Sequence, residues 1–373
     1  MATAVLCAIT FLTLLSQAAS GQESPERILK SAAALHQAGD VERAIPQYRA
    51  YLKLRPDSVE ARSNLGVALV RSGRYSEAIT EYRQALQRRP TDRRIRLNIA
   101  LAEYKLGRLR DAAAGLAVLH KEQPGDRQTL LPLADCRLRL GEVRQVIELL
   151  APVERLDQSD LAIAYLLGTA LLRDKQIERA QPVIDRILKN GESAETWLLL
   201  GMEKLGALEF EAAIADFEKA AALNPQLPDV HASLGDAHIQ TGDAAAARLA
   251  FQKELALNAN DFESNLQLGA LLRQDQDYDG ARKLLDRALL VRPGDIRARF
   301  QLASLSLAAG KLEEARVALV GILRQAPAFI EAHVTLATVY YRLKRKAEGD
   351  RERAEAERLT REAQARRTQG GNK

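Results

Sequence analysis

Small and large apolar positions recur along this chain on a single beat of 34 residues, with polar stretches between them. A small residue stands at Ala32, Gly66, Ala100, Ala134, Gly168, Gly201, Gly235, Gly269, Ala303 and Ala337, with one step of 33 between Gly168 and Gly201. A large apolar residue almost always precedes it, as at Leu65, Ile99, Leu133, Leu167 and Leu200. A second small row follows on the same beat: Ala44, Ala78, Ala112, Val146, Ala180, Ala213, Ala247, Ala281 and Ala315. Four residues after it comes a bulky row: Tyr48, Tyr82, Leu116, Leu150, Ile184, Phe217, Phe251, Leu285 and Leu319. Each period has room for two helices of about 12–14 residues and two short turns. The small rows lie where the two helices cross, so that their backbones approach closely, and the bulky row fills the space between neighbouring hairpins. Gly39, Gly73, Gly107, Gly141, Gly242 and Gly310 fall where the first helix must stop and turn. Pro56, Pro90, Pro124, Pro225, Pro293 and Pro327 close the unit, because proline cannot continue a helix.

Leu-Gly, then Ala, then Tyr or Phe, then Pro at this spacing resembles the tetratricopeptide repeat. The second unit carries the resemblance most fully, in Leu65-Gly66, Gly73, Ala78, Tyr82, Ala85 and Pro90. Trp197 ahead of Leu200-Gly201 matches the family's aromatic position. The resemblance covers about residues 25–348 and implies an all-α solenoid, a right-handed superhelix of helix-turn-helix hairpins whose concave face binds peptides or partner proteins. Nine clear repeats and a degenerate tenth are expected to start near 25, 59, 93, 127, 161, 194, 228, 262, 296 and 330. A charged capping helix over 349–368 follows, and then a disordered tail over 369–373. Composition agrees with a mostly helical chain, since aromatics make up only 5% of it and Ala, Leu, Arg, Glu and Gln dominate.

Two features break the beat. Around the fourth and fifth repeats Val146 replaces alanine, Pro152 falls inside a second helix and should kink it, and Gln158 replaces the closing proline. Drift in a stack that tolerates one poor unit explains this, as does a hinge that shapes the groove. At the C-terminus, Arg342–Lys373 holds eleven Lys/Arg and six Asp/Glu, a net +5 that equals the charge of the whole chain. A solvated cap over the last apolar face accounts for it, with a basic tail for nucleic acid or an anionic membrane as the alternative.

Residues 1–20 stand apart. The apolar run Ala4–Leu15 and the small residues Ala18 and Ser20 read as a secretory signal peptide, cut near Ser20–Gly21. An uncleaved anchor is the alternative, although about 20 apolar residues are needed to span a bilayer. Export to the periplasm or the medium is expected. The leader takes Cys7 with it, so the mature chain keeps Cys136 alone, and its fold cannot rest on an intramolecular disulfide.

In the family the first helix of each repeat faces the groove. The positions two before the small marker should then be exposed there: polar at Asn64, Asn98, Gln267 and Gln301, apolar at Leu166 and Leu199. Asn and Gln can pair with both backbone groups of an extended peptide. Five residues after the marker lies a basic row, Arg71, Lys105, Arg139 and Arg173, with Arg94 one turn before Asn98. This row suits an acidic ligand, or else is ordinary surface paired with Glu and Asp. Arg94 and Asn98 resemble one part of the family's carboxylate clamp, whose other part is absent. No catalytic motif, phosphate-cradling loop or cofactor motif is found. His231 and His238, seven apart on one helix near Asp229 and Asp236, sit at packing positions rather than as metal ligands. A non-enzymatic adaptor that holds a partner protein or extended peptide is the expected function. A chaperone-like assembly factor, binding through Leu166 and Leu199, is the alternative.

Overall fold

The computed structural model describes residues 24–370, with side chains as far as residue 365, so the expected leader at 1–20 lies outside the described residues. Among the described residues there are twenty α-helices and no strand. They come in ten hairpins. The first four are α1 (Pro25–Gln37) with α2 (Val41–Leu54), α3 (Val59–Arg71) with α4 (Tyr75–Arg88), α5 (Arg93–Lys105) with α6 (Leu109–Glu122), and α7 (Arg127–Leu140) with α8 (Val143–Leu156). The middle three are α9 (Leu161–Arg173) with α10 (Ile177–Lys189), α11 (Ala194–Gly206) with α12 (Phe210–Leu223), and α13 (Val230–Thr241) with α14 (Ala244–Leu257). The last three are α15 (Phe262–Gln274) with α16 (Tyr278–Val291), α17 (Ile296–Ala308) with α18 (Leu312–Gln325), and α19 (Ile330–Arg342) with α20 (Lys346–Gly370). The chain falls into two compact units, one ending at Cys136 and the other starting at Arg137.

Capping explains why first helices start where they do. Ser24, Ser58, Asp92, Asp160, Ser193, Asp261 and Asp295 each accept a hydrogen bond from a backbone N–H of the first turn, which satisfies one of the helix's orphan donors. The seventh repeat departs from this. Pro228 fixes its own backbone, Asp229 takes the left-handed conformation, and α13 begins only at Val230. Pro152 does not end α8, which runs through it to Leu156, and Pro46, Pro132 and Pro182 likewise lie inside helices. Helix α20 runs through Gly370, so the expected tail over 369–373 loses its first two residues to the helix, and residues 371–373 lie outside the described residues.

The turn inside each hairpin needs one residue with positive φ. Glycine supplies it at Gly39, Gly73, Gly107, Gly141, Gly242 and Gly310, while Lys175, Leu208, Gln276 and Lys344 adopt the same conformation at φ between 59° and 66°. An L-residue there is strained by about 1–2 kcal/mol, from which glycine's own loss of freedom, about 0.5–1 kcal/mol, subtracts. Leu208 is 71% exposed, so its side chain contributes little. Leu208→Gly is therefore expected to raise stability by about 0.5–1 kcal/mol, and Gly73→Ala, whose new Cβ would touch nothing, to lower it by about 1 kcal/mol. Urea titration of the two variants checks both signs.

Packing in each unit follows the three apolar rows. In the N-terminal unit Ala44, Tyr48, Leu65, Leu69, Ala78, Tyr82 and Ile95 form one buried cluster. In the C-terminal unit Phe217 packs with Leu198 and Val230, Phe251 with Leu268 and Leu271, and Leu319 with Ile322, Leu336 and Val339. Where the bulky partner is aromatic the marker is usually glycine. A Cβ on Gly66, Gly201 or Gly235 would lie 2.4–2.5 Å from the ring of Tyr82, Phe217 or Phe251. Cys136 is fully buried, as a small hydrophobe in the core.

Candidate functional site

Within the C-terminal unit, the ends and inner faces of six first helices, α7, α9, α11, α13, α15 and α17, line one cavity of about 830 Å³. Its wall is mixed. Apolar residues such as Leu172, Met202, Leu205 and Phe262 supply part of it, Ser233, Gln240, Asn258, Asn260 and Gln267 supply neutral polar groups, and five basic and five acidic side chains supply charge.

Most of those charges are already engaged. Arg173, at the end of α9, donates through Nη2 to Asp229 Oδ2 at 3.0 Å and through Nη1 to the Leu138 carbonyl at 3.4 Å. Arg297 grips Glu263 with two hydrogen bonds, at 3.2 and 3.1 Å, and Gln267 donates to the same carboxylate at 3.0 Å. Arg292, at the end of α16, donates from Nε and Nη2 to the Arg139 carbonyl at 3.1 and 2.7 Å, and its guanidinium lies 4.0 Å from the centre of the Phe262 ring. That bond joins residues 153 apart in sequence and ties the eighth repeat to the fourth. Burial, with repulsion from Arg173 second, pulls Arg292 below the usual guanidinium range.

The carboxylates are arranged otherwise. Asp261 caps α15, accepting from the Ser264 N–H at 2.7 Å. Asp236, in the middle of α13, has one carboxyl oxygen, Oδ1, shut off from solvent and without a hydrogen-bond partner. Burial foremost, then the charges of Glu263 and Asp261, hold Asp236 well above the ordinary carboxylate range, with Arg297 and Arg173 acting in the opposite sense. Behind the wall, Glu254 of α14 is 1% exposed and accepts from the Asp229 N–H at 3.4 Å, which supports Asp229 in its left-handed conformation.

The structure brings three of the residues expected from sequence, Arg139, Arg173 and Gln267, to this cavity. Leu199 contradicts expectation. It is fully buried, with its methyl groups 3.6 Å from where a side chain on Gly168 would begin. It packs at Gly168 of the preceding first helix, α9, rather than facing a groove. Leu166 is half-buried, and Gln301 is half-buried with an unpartnered Oε1. In the N-terminal unit Asn64 and Asn98 are half-buried, while Arg71, Arg94 and Lys105 are exposed.

The basic row has a recurring structural task. Arg71 donates to the His36 carbonyl, Arg173 to that of Leu138 and Arg342 to that of Leu307, each at 3.0–3.4 Å and each 35 residues back. These arginines satisfy carbonyls at the end of the preceding first helix, where a cation is favoured. The histidines tie loops in a similar way. His231 Nε2 pairs with the Pro225 carbonyl at 3.1 Å, and His333 Nε2 with that of Pro327 at 2.9 Å.

Sequence reasoning passed over Asp261, Glu263, Phe262, Arg292 and Arg297, and weighed Asp229 and Asp236 only as metal ligands beside the histidines. A signal existed for Asp236. The residue after the small marker is small, apolar or hydroxylic in eight repeats and charged only at Asp135 and Asp236. Tyr104 donates to Asp135 at 2.7 Å. Arg292 carried no such signal.

The chain matches the tetratricopeptide repeat at residues 29–93, 65–127 and 272–333, and the TPR repeat, the same family in abbreviated form, at 209–242. Together these segments span just over half of the chain. Comparison with curated proteins gives no match. Among solved structures, the APC/C hetero-tetramer Cut9–Hcn1 is similar with a TM-score of 0.61 at 14% identity, over 90% of this chain and 81% of that one. A tetratricopeptide repeat protein from Parabacteroides merdae is similar with a TM-score of 0.56 at 16% identity, over 72% of this chain and all of the other. At these identities the likeness concerns the fold alone.

Proposed function

From the chain's membership of the tetratricopeptide-repeat family, a fold of protein-interaction scaffolds, we propose that it is a non-catalytic adaptor that holds an extended segment of a partner protein in the cavity of residues 137–370. The observation that carries this reading is the cavity itself, built from six successive first helices and lined by polar side chains at Ser233, Gln240 and Gln267. Such a wall offers many weak contacts on a surface that is already ordered, so little ordering of the scaffold opposes binding. A chaperone-like reading rested on apolar exposure at Leu166 and Leu199, and the burial of Leu199 removes half of that surface. In the N-terminal unit the exposed cations Arg94 and Lys105 supply the component of the proposal that favours acidic stretches of the partner. Among the described residues no helix is long and apolar enough to cross a membrane. Export behind residues 1–20 completes the proposal. N-terminal sequencing of the protein from the cell envelope or medium should begin near Gly21. An intact Met1 there would refute cleavage and leave an anchor, and protein found only in the cytoplasm would refute export.

Site-specific crosslinking tests the adaptor reading. With p-benzoylphenylalanine in place of Gln240, at the cavity, light should join the protein to one dominant partner in its own cells. The same group in place of Leu290, 75% exposed on α16, should not. Equal adducts from both positions, or none from Gln240, would refute the groove as the binding surface.

A further inference from the structure

The cavity is lined by five basic side chains, Arg139, Arg173, Lys175, Arg292 and Arg297, and by five acidic ones. Its net charge is balanced, so what a partner segment brings is set by the groups left unpaired. Three of its arginines are occupied: Arg173 by Asp229, Arg297 by Glu263, and Arg292 by the Arg139 carbonyl and the Phe262 ring. No such cation serves Asp236, whose Oδ1 is desolvated and unpartnered. A buried carboxyl oxygen without a donor is costly, and the neighbouring Asp261 and Glu263 make its surroundings more anionic still. Oδ1 itself is closed to solvent, so an outside cation meets this carboxyl group through its other oxygen. The charge of that cation would offset the cost, whereas an anion would add to it. We infer that the cavity receives a lysine or arginine side chain of the partner segment, whose cationic head pairs with Asp236. This deepens the adaptor reading and rests on it.

Two further features favour a basic side chain over other cations. No group of three His, Cys, Asp or Glu among the described residues is arranged to hold a metal ion. The same cavity presents Leu172, Met202 and Leu205, apolar surface along which the aliphatic stem of lysine or arginine can lie while its head reaches a carboxylate. Ser233 and Gln240, three before and four after Asp236, share its face of α13 and offer hydrogen bonds beside the head.

The test is a selection of random twelve-residue peptides displayed on phage, run against the full-length protein. Peptides retained by the protein are expected to be enriched in Lys or Arg at one position. Replacing that residue by norleucine in the synthetic peptide should weaken binding about tenfold or more, as loss of one partner of a desolvated charge pair does. Asp236→Asn should weaken the parent peptide to the same degree and leave the norleucine peptide unchanged. The norleucine comparison uses unaltered protein, so it decides the matter even if Asp236→Asn folds poorly. Peptides that bind without a basic residue, or equally well with norleucine, would overturn the inference and leave the adaptor reading standing. Failure to select any peptide would overturn both.

Discussion

Gly235→Ala is expected to destabilise the seventh hairpin by about 2 kcal/mol, although alanine is the better helix former by about 1 kcal/mol. The new methyl would sit 2.5 Å from the ring of Phe251, which is fully buried, so the ring or the backbone must shift to admit it. The chain itself shows the compensating change. Alanine markers face leucine in Ala100 with Leu116 and in Ala303 with Leu319, all of them buried. Ala32 with Tyr48 is the exception, in the first repeat, where the Tyr48 hydroxyl lies 3.4 Å from His36 Nδ1. Phe251→Leu alone should cost about 1–2 kcal/mol by leaving space. The double variant should be no less stable than Phe251→Leu by itself, so the two changes couple favourably. Because unfolding of a long repeat array need not be all-or-none, hydrogen exchange of the α13 and α14 amides is the appropriate measurement. A neutral Gly235→Ala, or additive effects, would sink the packing account.

The second large effect concerns Glu254. Burial, then repulsion from Asp261 and Asp229, pushes its carboxyl up from the ordinary 4.5 to about 7, against hydrogen bonds from the Asp229 and Ala232 backbone. Between those values the folded protein binds a proton that the unfolded chain has released. Stability from this group is therefore greatest below pH 4.5, falls as pH rises towards 7, and is level above. The full loss amounts to about 3 kcal/mol. Glu254→Gln keeps the carbonyl that accepts from Asp229 and removes the titration. The stability of the variant relative to the native chain should accordingly improve by about 3 kcal/mol between pH 4.5 and pH 8. Denaturant midpoints at both pH values check it, and a constant difference between the two proteins would show that Glu254 is ionised in the fold throughout. Asp236 and Asp261 are displaced in the same direction, so their contributions cancel only in this comparison of variant with native chain.

Much of the molecule was legible in the sequence because each hairpin is specified locally. The rows through Ala32, Ala44 and Tyr48 contact one another within a repeat or between neighbours, so spacing along the chain reports their environment directly. Local grammar also placed the glycine turns. It missed that Lys175, Leu208, Gln276 and Lys344 take the same left-handed conformation, since neighbouring helices can impose on them a conformation their own preference opposes. The Ser and Asp caps ahead of the first helices, which the reading of the sequence did not single out, are equally local.

The binding surface was harder to read. A position two before the marker points inward by helical geometry, which holds for Ser233 and Gln267 and fails at Leu199, which is buried at Gly168 of the preceding first helix. The charge of Arg173 suggested an acidic ligand, but whether a charge is available depends on what meets it. Asp229, 56 residues away, meets this one.

By itself, then, the sequence determined an all-α stack of repeated hairpins, because small and bulky side chains on a 34-residue beat satisfy one another only in that arrangement. Only the tertiary structure decided which inward-facing groups are spent on the fold and which are left for a partner. Arg292 reaches the Arg139 carbonyl across 153 residues, and Arg173 meets Asp229 across 56. Contacts of that range are set by how successive repeats curve within the C-terminal unit, and no spacing along the chain encodes them.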